Sequence, residues 1–256
     1  MSEFENNVST FLSNYATTLL ECGATTARIE KNVLRMAEAY GCQSKVNIYP
    51  LHVEVVLKND INGDSVVRSK TIRDIRINYN TISELSRLSW ICFDQQMSLT
   101  DAVNRYEHIT ATARIPFTIV TLLTAVANAS FCRLFCGDAI SMFIVFIATA
   151  CGFYIKRELC RKWQIDLRLS IIVAGCISAI MSCSGYVFSL GHTPDVALAT
   201  SVLYLIPGIP YLNSVSDLIN GHYICAMSRL IYSCVITVCL AVGLYIGLMM
   251  MSTRIM

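Results

Sequence analysis

Pro207, Gly208 and Pro210 fall within four positions of an apolar run, and Asn213, Ser214, Ser216 and Asp217 follow at once. Proline removes a backbone donor and crowds the preceding turn, so a helix breaks here and frees the carbonyls around Leu203 and Ile206. An unpaired carbonyl is costly in hydrocarbon, so such a segment must face protein or a watery cavity. Asn213 and Asp217 are four apart and share one helical face just beyond the break. One carboxylate, one amide and the nearby serines can recognise a small polar solute or carry a proton, as discontinuous helices do in transporters. Pro207, Gly208, Pro210, Asn213, Ser214 and Asp217 are therefore the candidate substrate or proton pathway. The alternative is a plain kink, with Asp217 lying at the lipid headgroups.

Other polar residues punctuate the apolar runs. Thr121, Thr124 and Asn128 line one face of the first run. They serve either as ligand contacts or as hydrogen bonds between helices. Asp138, beside Gly137, opens the second run as a helix cap or as part of a gate. Asn128 and Asp138 join the candidate pathway on these terms. His222 can titrate near neutral pH, or it is simply solvated. Enzyme chemistry finds little support. His52 and His108 lie far apart with no evident Ser or Cys partner, and no Walker-type GxxxxGK[ST] occurs. The twelve cysteines include no CxxC and no Cys/His zinc spacing, so no metal or cofactor is expected and the thiols read as small buried residues.

The elements that must position these groups follow from charge and hydropathy. The 256 residues are 54% hydrophobic and 15% charged, with a mean hydropathy of +0.53. Residues 1–114 hold 12 Lys/Arg and 13 Asp/Glu, whereas residues 115–256 hold 8 and 5. A net charge of +2 with no basic stripe gives no reason to expect nucleic acid. The acidic start, "MSEFENN", lacks the features of a signal peptide. In the first half, Val8, Phe11, Leu12, Tyr15, Ala16, Leu19 and Leu20 recur at helical spacing, with Gly23 as a stop. Ile29, Val33, Met36, Ala37 and Tyr40 mark a second helix, ended by Gly41. The runs "KVNIY", "VEVVL" and "SVVR" read as strands, with Asn62-Gly63 as a hairpin turn. Helices resume near Thr81, and Ser98-x-x-Asp101 predicts a cap.

The expected fold is thus a cytoplasmic α+β domain, 1–114, followed by an α-helical membrane domain, 115–256, of five transmembrane helices, one of them broken. Runs at about 116–135, 138–155, 169–190, 196–218 and 229–251 are each long enough to span roughly 30 Å of hydrocarbon. The 156–168 loop, "KRELCRKWQIDLR", carries five Lys/Arg, and the loop "GHTPD" has none. The positive-inside rule then puts the 156–168 loop and the N-terminus in the cytoplasm and Met256 outside.

Four stretches carry a resemblance: "CGATTARIEKNV", "DIRINYNTISEL", "CRLFCGDAISMFIVF" and "LIPGIPYLNSVSDLINGH". With them the chain resembles the threonine/serine exporter family over nearly its whole length, most closely the larger subunit of its split form. The most specific element is P-G-x-P-x-x-N-x-x-x-D followed by G-H. The resemblance implies a cytoplasmic N-terminal domain, five spans in a bacterial inner membrane, and export of small hydrophilic metabolites. Threonine and serine are family substrates, and the split form is linked to succinate. Single-chain members carry a further membrane domain, so the resemblance also implies a smaller separate membrane subunit as partner, within an oligomer in lipid. Arg28 and Glu30 of the N-terminal signature, with His222, are then candidates for gating or assembly. Two rivals stand beside an exporter subunit: a membrane-anchored enzyme with its chemistry in residues 1–114, and a scaffold whose partner forms the conduit.

Overall fold

The computed structural model describes residues 3–58, 65–112 and 115–255, the last four without their side chains. In chain order the elements are α1 (Glu3–Glu21), α2 (Thr26–Ala39), β1 (Gln43–Tyr49), β2 (His52–Lys58), β3 (Ser65–Thr71), α3 (Tyr79–Asp94) and α4 (Leu99–Ala111). Then come α5 (Phe117–Leu134), α6 (Ala139–Arg161), α7 (Leu167–Val187), α8 (Pro194–Ser201), a 3-10 turn (Leu203–Leu205), α9 (Gly208–Ile219) and α10 (Tyr223–Ile255). Two compact units emerge: Met1–Ala113 with Ile209–Leu230, and Arg114–Gly208 with Ile231–Met256. The units therefore do not follow a single cut near residue 114, because α9 and the first turns of α10 group with the N-terminal residues.

In the first unit, α1 buries Val8, Phe11, Leu12, Tyr15, Ala16, Leu19 and Leu20, the stripe its spacing predicts. That stripe and the buried face of α2 (Ile29, Val33, Met36, Ala37) meet Val53, Val55 and Leu57 of β2 in one core. The sheet is an antiparallel meander in the order β1-β2-β3. Tyr49 pairs with His52 across a two-residue turn, and His52 pairs in turn with Thr71. The Asn62-Gly63 turn lies outside the described residues, as do Arg114 and Met256. The Ser98 side chain accepts from the Asp101 N–H at 3.2 Å, the predicted cap of α4. Asn78 caps α3 in the same way through the Thr81 N–H.

The second unit has the reverse texture. Its large side chains, such as Leu122, Phe131 and Phe143, point outward, while Ala125, Ala148, Ala174, Ser178 and Ala179 are buried. Small residues inside let helices approach closely where lipid removes any hydrophobic drive between them. A Cβ on Gly243 would lie 2.3 Å from the Ile172 carbonyl oxygen, so α10 and α7 pack there backbone to backbone. Among the described residues four helices are long and apolar enough to cross a membrane, namely α5, α6, α7 and α10. A fifth is counted if Pro194–Leu205 and Gly208–Ile219 form one interrupted span.

The interruption is shorter than the Pro207–Pro210 spacing suggests. Between the 3-10 turn and α9 only Ile206 and Pro207 lie outside helix, and Pro210 is the third residue of α9. In a first turn the N–H has no intrahelical partner to lose, so proline is tolerated there. The carbonyls expected to be free also have local donors. The Ile206 N–H reaches the Leu203 carbonyl at 3.1 Å, and the Gly208 N–H reaches the Ile206 carbonyl at 2.9 Å.

Candidate functional site

The site in the first unit starts from the way α1 ends. Gly23 takes φ +80°, a left-handed conformation that favours glycine. The Gly23 N–H bonds the Leu20 carbonyl and the Ala24 N–H bonds that of Leu19, each at 3.0 Å, which closes the helix. The chain then turns into α2 with the carbonyls of Gly23 and Ala24 and the N–H of Thr26 turned to side-chain partners. Thr25, the residue before α2, gives no side-chain cap. The first N–H groups of that helix must be satisfied from elsewhere.

The Thr26 N–H is satisfied by α9, and the two carbonyls of the turn are satisfied by α9 and α10. Asp217, fully buried, accepts from the Thr26 N–H at 3.0 Å, so a carboxylate 191 residues away caps α2. Its other oxygen pairs with Arg229 Nη1 at 2.8 Å. Arg229 Nη2 donates to the Ala24 carbonyl at 2.9 Å, and Asn213 Nδ2 donates to the Gly23 carbonyl at 2.9 Å. Ser214 Oγ donates to the Ala226 carbonyl at 2.7 Å and ties α9 to α10. Gly221, at φ +81°, lets the His222 N–H close α9 on the Asp217 carbonyl at 2.8 Å. His222 Nε2 then lies 3.4 Å from a carboxylate oxygen of Glu30 on α2. The spacing N-x-x-x-D…G-H thus has a local reason at each position. The amide and carboxylate grip the turn, the glycine ends the helix, and the histidine reaches α2.

Electrostatics make this cluster costly to open. Both ions are withdrawn from water, with the Arg229 side chain only 11% exposed. Such a pair persists when its other donors and acceptors find partners, and here the Thr26 N–H serves Asp217 and the Ala24 carbonyl serves Arg229. The positive N-terminal end of α2 adds further stabilisation to the carboxylate.

Asn213, Ser214, Asp217, Glu30 and His222 are therefore brought together, whereas Arg28 is exposed on α2. Pro207 lies in the break and Gly208 opens α9. Asn128 and Asp138 belong to the second unit. Asn128 Nδ2 donates to Thr149 Oγ1 at 3.1 Å, a bond between α5 and α6. Asp138 caps α6 by accepting from the Ser141 N–H at 2.8 Å. It also accepts from the His192 N–H at 2.8 Å and from the Thr193 hydroxyl at 3.2 Å, which latches the loop before α8. The hydrogen bond with Ser141, joined by those from backbone N–H groups, holds its carboxyl well below the usual range.

Two groups escaped the sequence reading. Arg229 is the one charged residue between Tyr223 and Met251, and that isolation was the available signal. Tyr204 is the other. Its hydroxyl bonds Ser178 Oγ at 3.0 Å in a gap that exists because residue 152 is glycine. A Cβ there would meet the hydroxyl at 2.0 Å.

The family model described as "Putative threonine/serine exporter" matches residues 10–251. Proteins of Klebsiella aerogenes and Escherichia coli K12, each described as "Probable succinate transporter subunit YjjP", are similar to the chain. Each is 26% identical to it over 239 residues, covering 92% of this chain and 91% of its own length. No solved structure matches the chain.

Proposed function

This chain belongs to the threonine/serine exporter family, and we propose from that premise that it is one subunit of a secondary exporter of small hydrophilic metabolites. It is a multi-pass membrane protein, with four or five helices suited to spanning. In our reading the solutes are threonine and serine, or a C4 dicarboxylate such as succinate, and a smaller membrane subunit completes the conduit. The word "subunit" in the names of both relatives supports a partner. The Lys/Arg-rich 156–168 loop supports an N-terminus in the cytoplasm and a C-terminus outside, in a bacterial inner membrane.

The observation that carries a role for the motif is the buried Asp217–Arg229 pair on the Gly23–Thr26 turn. We read the motif as the coupling element of the exporter. It binds the helix that follows the interruption to the N-terminal α+β residues, so that a change at the interruption is felt by both. Glu30 and His222 reinforce the same junction. The pathway role expected for Asp217 requires this pair to open during transport, which makes the pair the switch as well as the clamp.

Efflux of threonine and of succinate from preloaded cells tests the proposal. Cells carrying this chain with the smaller subunit should export at least one of the two, and cells with either chain alone should export neither. Full export by the smaller subunit alone would reduce this chain to a scaffold. Loss of neither solute under any combination would remove the exporter reading altogether.

A further inference from the structure

The buried stripe of α6 leads to a second assignment, in the second unit. Ser141, Val145, Ala148, Thr149 and Gly152 all face inward along this helix. Lys156 is one step of four beyond Gly152 and continues the same face. Polar groups from outside α6 meet the stripe in order. Thr193 meets it at Ser141, Asn128 at Thr149, and the Tyr204–Ser178 hydroxyl pair at Gly152. A cation closes this series at the last step.

The surroundings of Lys156 are unlike those of a lysine that only faces headgroups. Its Nζ lies 5.1 Å from the centre of the Phe153 ring and 5.9 Å from that of Tyr204. Among the described residues no carboxylate pairs with it. Arg161 and Lys162, one and two positions past the next turn, are exposed and supply the charge that orients the loop. A cation turned inward over aromatic rings, one helical turn beyond the hydroxyl pair at Gly152 and with no carboxylate paired to it among the described residues, is ready for an anionic ligand. Amino acids and C4 dicarboxylates share one ionised group, the carboxylate, and a charge-assisted hydrogen bond to it is among the stronger contacts available.

We propose that Lys156, one turn beyond the Tyr204–Ser178 hydroxyl pair, receives the carboxylate of the exported solute, and that the inward stripe of α6 lines its path. This assignment rests on the exporter reading above and adds the residue that recognises the substrate.

The test uses inside-out membrane vesicles from cells carrying this chain and the smaller subunit, with labelled succinate and threonine as probes. Lys156→Met keeps the stem and its packing on the rings. It should leave the amount of protein in the membrane unchanged and raise KM by roughly ten- to a hundredfold, the worth of a hydrogen bond to a charged group. Lys156→Arg should stay close to wild type, and Lys162→Gln, which removes the same charge from an exposed site, should leave KM unaltered. An unchanged KM in Lys156→Met, or an equal rise in Lys162→Gln, overturns the assignment while the exporter reading stands. Wild-type vesicles that take up neither probe would overturn both.

Discussion

Asp217 spends each of its carboxylate oxygens on a different partner, and this decides what its replacement does. Asp217→Asn leaves Arg229 charged, nearly buried and without its counter-ion, a loss worth about 3–5 kcal/mol for pairs of this kind. Replacing both, with Asp217→Asn and Arg229→Met, removes the stranded charge. The double variant should therefore recover much of that loss, as thermal unfolding of the purified protein in detergent can establish. Strictly additive losses would mean the two residues do not act as a unit. Sequence spacing revealed half of this arrangement. Helical periodicity placed Asn213 and Asp217 on one face, because four residues make about one turn. It said nothing of Arg229, which lies on another helix, or of the Gly23–Thr26 turn, since contacts across such a separation leave no periodic trace.

Local chemistry set most elements, and the interruption before α9 is where it misled. Gly23, Gly41 and the Ser98 cap end or start helices through bonds to their immediate neighbours, so they could be read directly. Two prolines three apart look like one long break, yet a proline in a first turn gives up no bond. The two should therefore differ when replaced. Pro210→Ala should keep efflux within about twofold of wild type, because α9 already includes that position. Pro207→Leu restores an N–H that can compete for the Leu203 carbonyl and extend the helix through Ile206, and it should slow efflux by about tenfold or more. Equal effects, with equal amounts of protein in the membrane, would show that the break does not matter for transport. Composition is silent for a related reason. Leu212, Val215, Leu218 and Ile219 of α9 point outward while Asn213, Ser214 and Asp217 point in, so hydropathy alone reads a span and does not reveal the bonds to the Gly23–Thr26 turn.

For the whole molecule, the order of spans and the loop charges predict opposite sides for the 156–168 loop and the C-terminus. Reporter fusions active on only one side of the membrane should be cytoplasmic in the loop and external at Met256. The same side for both would rule out five crossings and leave α8 and α9 as an incomplete span. The discontinuous first unit also has a consequence in time. The N-terminal residues are made first, but the carboxylate that caps α2 follows 191 residues behind Thr26. At about 5–20 residues per second, the turn after α1 waits roughly 10–40 s for its partner. During that interval the nascent chain exposes an uncapped helix start and two bare carbonyls to whatever attends the ribosome. This unit finishes folding only when the first turns of α10 have been synthesised.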